Sequence, residues 1–376
     1  MRPFTLHTGS LRGNTASLLV FATIFAVFEI AYITRWSSSI KFLKRNQDFR
    51  NDTGITQSFL NRDRNAYDVT KLEPSPTPSP DANSKLLGKV ISLTLRNNTD
   101  TDFTSAPLML LFSSWSHSRD KAPVHAAVFR LWSAWPHITN AVVTTDPVVK
   151  RHAKRAGWHV EPITHVHRDC HGPPVLAPMF TQIMFKYDAH YYGFSNSDIL
   201  FGNGLEETLN FLYEHDAWRT KPLLIVGRRY NVDFLNSTNV NLETPKDVEE
   251  LTERGTLVLR STDYFFTNRH FPWNKVPEVS IGRPYVVRAI IGFALKRKIA
   301  VIEATKTIEA VHLTTKDGIF ASWHKTGVKC NEKIMASIHW SVPTKIGHCE
   351  CALLETFKEH GEMKVRHRKA NKQICS

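Results

Sequence analysis

The chain has 376 residues, 42% of them hydrophobic and 11% aromatic, which is enough for one sizeable α/β domain with appendages and too apolar for a chain disordered throughout. A formal charge of +13 suits a nucleic acid, an anionic membrane surface or a phosphorylated ligand without choosing among them. Part of the excess belongs to a basic tail, since residues 358–376 hold six Lys or Arg against two Glu.

Residues 1–15 read as a short cytoplasmic tail, and residues 16–33 as a membrane anchor whose one charge is Glu29. At a rise of about 1.5 Å per residue this segment barely spans a hydrocarbon core of about 30 Å. Arg2 and Arg12 precede it, while Arg35, Lys41, Lys44 and Arg45 follow, so flanking charge does not orient it. Three N-x-Ser/Thr sequons, at Asn51, Asn97 and Asn236, favour a lumenal head. The segment ends in Ala31-Tyr32-Ile33-Thr34 and lacks an A-x-A-like site, which favours an uncleaved anchor over a signal peptide. The expected placement is therefore the Golgi or ER membrane, single-pass, with the head in the lumen. Residues 34–104 form a polar stem, and Pro74-Ser75-Pro76-Thr77-Pro78-Ser79-Pro80 within it reads as an extended polyproline spacer.

The globular head is expected over 105–321. The apolar run 108–112 predicts a buried strand, and helical spacing follows over 124–135, stopping before Pro136. A second strand is expected at 140–144, a helix at 147–156 ended by Gly157, and a third strand at 158–160. Beyond Gly172-Pro173-Pro174 a helix is expected at 178–189 and a strand at 190–195. Further strands are read at 223–226, 264–266, 299–302 and 308–311, with a helix at 285–298. Alternating strands and helices imply a Rossmann-like, mostly parallel sheet covered by helices on both faces.

Residues 322–376 form a basic segment holding four of the five cysteines, Cys330, Cys349, Cys351 and Cys375; the fifth is Cys170. In an oxidising lumen one or two bridges would staple it, with connectivity left open. The absence of a C-x-x-C pair argues against zinc at Cys349-Glu350-Cys351 with His339 and His348.

Asn196-Ser197-Asp198 stands where the strand 190–195 gives way to a turn, and carboxyl ends of parallel strands are where ligands collect. Arg228 and Arg229 directly follow the strand 223–226 and, with Arg283, could clamp phosphate through planar guanidinium groups; surface pairing is the ordinary alternative for at least one of them. Asp263 opens the strand 264–266, as a general base or as a cap, and His312 follows the strand 308–311, as a ligand or a packed imidazole. Trp273 could stack on a sugar or pack in the core.

Asn196-Ser197-Asp198 resembles the D-x-D signature of the GT-A class of nucleotide-diphospho-sugar transferases, with Asn in place of the first Asp. The resemblance extends over 107–321 through Val226-Gly-Arg-Arg229, Thr262-Asp-Tyr-Phe265, Ile281-Gly-Arg-Pro284 and Glu309-Ala-Val-His312, segments similar to those of a poorly characterised eukaryotic group of that class. It implies a GT-A-type fold, a nucleotide-diphosphate sugar bound at 196–198 and by the arginines, Mn2+ or Mg2+ held by Asp198 and His312, and Asp263 as base. It implies a glycan, glycoprotein or glycolipid acceptor, while the membrane span and lumenal stem argue against nucleic acid. The group would carry an Asp where Val286-Val287-Arg288 stands, so a non-catalytic binding or scaffold protein is the alternative. A Ser hydrolase is disfavoured because G-x-S-x-G is absent.

Overall fold

A computed structural model describes residues 106–233, 242–315, 326–338, 347–369 and 375. The expected anchor, stem and three sequons lie outside the described residues. Among the described residues no helix is long and apolar enough to cross a membrane.

The chain builds strand β1 (Met109–Ser113), helix α1 (Ala122–Trp132), β2 (Ile138–Val143), α2 (Pro147–Arg155) and β3 (His159–Glu161). Next come α3 (Leu176–Lys186), β4 (Tyr191–Ser195), β5 (Ile199–Phe201), α4 (Gly204–Tyr213), the single turn α5 (Asp216–Arg219), β6 (Leu223–Gly227) and β7 (Tyr230–Asp233). The remainder comprises α6 (Pro245–Arg254), β8 (Thr256–Leu257), β9 (Tyr264–Asn268), α7 (Val286–Lys296), β10 (Ala300–Glu303), β11 (Ala310–Thr314), α8 (Cys330–Ser337), β12 (Leu354–Glu359) and β13 (Glu362–His367).

Nine strands form one sheet in the order β13-β12-β10-β6-β9-β4-β1-β2-β3. Neighbours are parallel except that β9 runs antiparallel to both β4 and β6, and β13 antiparallel to β12. The expected parallel α/β sheet is thus present, with one antiparallel strand at its centre. Strand β1 is buried along its whole length because both faces are covered, which is why its sequence reads as a continuous apolar run. Met109 and Leu111 join one core layer with Trp132, Leu209 and Phe266, while Leu110 and Phe112 join the opposite layer with Phe180, Ile290 and Trp273. Each such side chain contributes about 1.5–3 kcal/mol by leaving water.

Local chemistry sets the helix starts. Asp146 accepts from the N–H groups of Val148 and Val149, with Pro147 in the first turn of α2. A capping box of Thr244 and Asp247 starts α6. Trp273, one of whose readings was sugar stacking, is a core residue: it lies 3.6 Å from Phe180 in a stacked pair and donates its indole N–H to Thr267 Oγ1.

A second, four-stranded sheet, β5-β11-β7-β8, was not expected from sequence. Strand β11 spans 310–314 rather than 308–311, so His312 lies inside the strand. The cysteine-bearing segment is joined to the head, since β12 extends the main sheet beside β10 and β13 forms its edge. Cys170 bridges Cys330 and Cys351 bridges Cys375, leaving Cys349 as a buried thiol.

Candidate functional site

The carboxyl end of β4 places Asn196, Ser197 and Asp198 in the turn that leads directly into β5. The chain therefore leaves the large sheet and enters the small one within this triplet. Its two ends are fixed by different neighbours.

On the large-sheet side, antiparallel register sets Ser195 opposite Tyr264 and Gly227 opposite the same Tyr264, so the residues flanking these strands converge. Asn196 N–H donates to the Asp263 carbonyl at 2.9 Å, and Asn196 Nδ2 donates to Asp263 Oδ1 at 2.8 Å. Asp263 Oδ2 forms a close ion pair with the buried Arg229, whose Nε donates to Asn231 Oδ1 at 2.9 Å. Gly227 is required just before the arginines: a Cβ there would meet the Tyr264 hydroxyl at 1.7 Å. Arg228 points elsewhere, lying 3.6 Å from Glu350 Oε1, while its N–H donates to Thr305 Oγ1.

On the small-sheet side, His312 stands opposite Ile199 in the β11–β5 pairing, and Leu313 N–H donates to the Asp198 carbonyl. This places His312 Nε2 3.4 Å from Asp198 Oδ2. The same oxygen accepts from Lys121 Nζ at 3.1 Å. Asp198 Oδ1 is buried without a hydrogen-bond partner. Burial alone would raise the Asp198 pKa, but the hydrogen bond and charge of His312 and the charge of Lys121 outweigh it and hold the carboxyl well below its usual range. Ser197 Oγ lies 3.3 Å from His125 Nε2. Burial pushes the His125 pKa from 6.5 down to about 4, against the pull of Asp198 and with the help of Lys121 and His117.

Asp198 and His312, named from sequence as a pair, are thus brought together, and so are Asn196, Asp263 and Arg229. Arg283 is tied to other groups, donating to the carbonyls of Gly282 and, at 3.5 Å, Cys170. Val287, where an Asp was expected, is half-buried against the core layer that holds α7. Sequence reasoning missed Lys121 and His125. Both come from the connection after β1 and the first turn of α1, and β1 is the parallel neighbour of β4, so the strand-end rule that singled out Asp198 applies to them too.

The donor set fits a hard divalent cation. Asp198 Oδ1 is an unpartnered buried oxygen, and Thr314 Oγ1 lies 3.3 Å from His312 Nδ1, so a proton held on Nδ1 leaves Nε2 free as a ligand. Two protein ligands suffice for Mg2+ or Mn2+ when phosphate oxygens and water complete the shell. Among the described residues one cluster has three groups placed to hold a metal, His167, Cys170 and Cys330, and its two sulfurs are joined in a disulfide.

No protein-family model matches the chain, and no curated protein matches it. Among solved structures it is similar to CMP:2-keto-3-deoxy-manno-octonic acid synthetase complexed with CTP, at 13% identity over 61% of this chain and 98% of that one, with a TM-score of 0.31. It is also similar to S. aureus TarS 1-349 in complex with UDP-GlcNAc, at 12% identity over 35% of this chain and 36% of that one, with a TM-score of 0.23.

Proposed function

We propose that this chain is a nucleotide-sugar-dependent glycosyltransferase whose donor diphosphate sits over the 196–198 turn. The observation that carries the reading is the meeting of Asp198 and His312 at 3.4 Å, with Asp198 Oδ1 buried and unpartnered, at the carboxyl end of a central parallel strand. A carboxylate held ionised there is poised to bind a cation. The bound divalent cation would neutralise the diphosphate as it departs.

In the transfer, the acceptor oxygen bonds to the anomeric carbon as the bond from that carbon to the phosphate oxygen breaks. The acceptor proton passes to a base, and the nucleoside diphosphate leaves. Asp198 and His312 would hold the cation, and Asn196 presents a polar amide at the same turn. Arg229 sits one residue beyond β6 with its guanidinium on Asp263. For Asp263 to accept the proton in an inverting reaction, it must exchange Arg229 for the acceptor hydroxyl. The acceptor class is a glycan, glycoprotein or glycolipid, reached from a lumenal head anchored through 16–33.

Calorimetry with UDP, GDP and CMP, with and without Mn2+, tests the reading; the expected result is nucleotide binding that requires Mn2+, and binding indifferent to the metal would reject it. A second reading, a non-catalytic binding protein on the same fold, is favoured by one observation: Asp263, the candidate base, is already committed to Arg229 and Asn196. Release of nucleoside diphosphate from a sugar donor in the presence of acceptor glycans separates the two.

A further inference from the structure

Among the described residues Lys121 is the strongly basic side chain in direct contact with the Asp198 carboxylate, and its position is costly if a cation is to bind there. Nζ lies 3.1 Å from Asp198 Oδ2, the oxygen that also faces His312 Nε2. Oδ1 stands idle, but a divalent ion that also meets His312 Nε2 must approach Oδ2, and at about 2.1 Å from Oδ2 it would lie within about 5 Å of the ammonium, in a site where the carboxylate is 11% exposed and screening is weak. Two cations cannot share that oxygen at small cost.

The ammonium nevertheless has somewhere to go. Lys121 precedes the first turn of α1, its side chain is 21% exposed, and a four-carbon stem lets the charge swing without backbone movement. Asp198, by contrast, is fixed by the backbone bond from Leu313 and by the strand that follows it. The carboxylate is thus the stationary partner and the lysine the movable one.

We propose that Lys121 is a resident counter-ion that competes with the divalent cation for Asp198 and, once displaced, moves onto the donor diphosphate. The inference rests on the nucleotide-sugar reading and adds to it a residue that governs cation exchange. Without ligand, the ammonium keeps the buried carboxylate neutralised. With cation and nucleotide present, the same charge is released beside the phosphates that the cation brings in, so metal and nucleotide bind with positive coupling. His125, held neutral by burial, adds no third positive charge to the exchange.

The test is a titration of the full-length protein with Mn2+ alone, read by calorimetry and by the paramagnetic resonance of free Mn2+, followed by UDP at saturating Mn2+. Lys121→Met is expected to bind Mn2+ about tenfold more tightly than the native chain and UDP about tenfold more weakly, because removing one charged hydrogen bond frees the carboxylate and strips a cation from the phosphates. Lys121→Arg, which keeps the charge, should stay near the native values, and Lys121→Gln should follow Lys121→Met if the latter folds poorly. Equal or weaker Mn2+ binding by the neutral variants overturns the competition, and unchanged UDP affinity overturns the transfer of Lys121 to the diphosphate. If no form binds Mn2+ even with UDP present, the metal reading itself fails and this inference with it.

Discussion

Asp198 and Asp263 lie on either side of one turn, and the contrast between them separates a carboxylate arranged to bind from one arranged to hold. Asp263 is satisfied within the fold: Asn196 donates to one oxygen and Arg229 pairs with the other, and Arg229 is in turn tied to Asn231. Asp198 shares a single oxygen between Lys121 and His312 and leaves the other unpartnered. A buried pair that is internally complete is costly to break and has little left for a ligand. A buried carboxylate with an idle oxygen is under-satisfied in the protein alone, and a ligand that fills the gap gains what the fold lacks.

The largest expected effect falls on the holding side. Arg229→Ala should destabilise the protein by about 3 kcal/mol, because the Asp263 carboxylate, 13% exposed, loses its charged partner and the buried Arg229 stem leaves a gap. Equilibrium denaturation in urea measures this, and a loss below about 1 kcal/mol would mean that Asp263 is not confined as described.

On the binding side, Asp198→Asn should destabilise the protein by about 2 kcal/mol, since the amide keeps the volume but loses the charged contacts to Lys121 and His312. Mn2+-dependent UDP binding should meanwhile fall by about a hundredfold or more, the loss of an anionic ligand from a two-ligand site. Calorimetry beside a thermal melt distinguishes this from misfolding. Retained affinity with an intact melt would erase the contrast between the two carboxylates.

The pH dependence of stability sharpens the picture around Asp198. Below pH 6.5 the unfolded chain takes up a proton on His125 that the folded chain refuses until about pH 4, so the unfolded state binds more protons across that window and stability falls as pH falls. The expected loss is on the order of 3 kcal/mol between these limits. His190 is lowered by burial as well, so the measurement is a difference: stability of His125→Gln should fall less steeply than that of the native protein over the same range. The depressed Asp198 pKa acts lower down, its contribution present above the ordinary value of 3.8 and lost as pH drops below it. Parallel curves for the two proteins would show that His125 is not held neutral.

The smallest effect is expected at Arg283. Its guanidinium is occupied by the Gly282 and Cys170 carbonyls, so Arg283→Ala should leave UDP affinity within about twofold of the native value. A loss comparable to that of Asp198→Asn would bring Arg283 back to the phosphates.

Much of the architecture was legible because its causes are local. The apolar runs at 108–112 and 223–226 are buried on both faces and became β1 and β6, and Asp146-Pro147 marked the start of α2 by cap chemistry. Trp273 had two readings in sequence, and the ring of Phe180 decided between them. The small sheet was illegible because β8 has two residues and β5 three, too short for any periodicity to register. That omission also hid why His312 reaches Asp198.

By itself the sequence determined that an apolar strand ends in Asn196-Ser197-Asp198 and that arginines, an aspartate and a histidine follow in order along an α/β chain. Only the tertiary structure decided their division of labour. Strand pairing is a long-range choice, and the β4–β9–β6 register handed Arg229 to Asp263, while the β11–β5 register handed His312 to Asp198. Lys121 carried no motif, and its role arises from the parallel packing of β1 against β4, which brings the connection after β1 to the same edge of the sheet and its ammonium to a carboxylate 77 positions away.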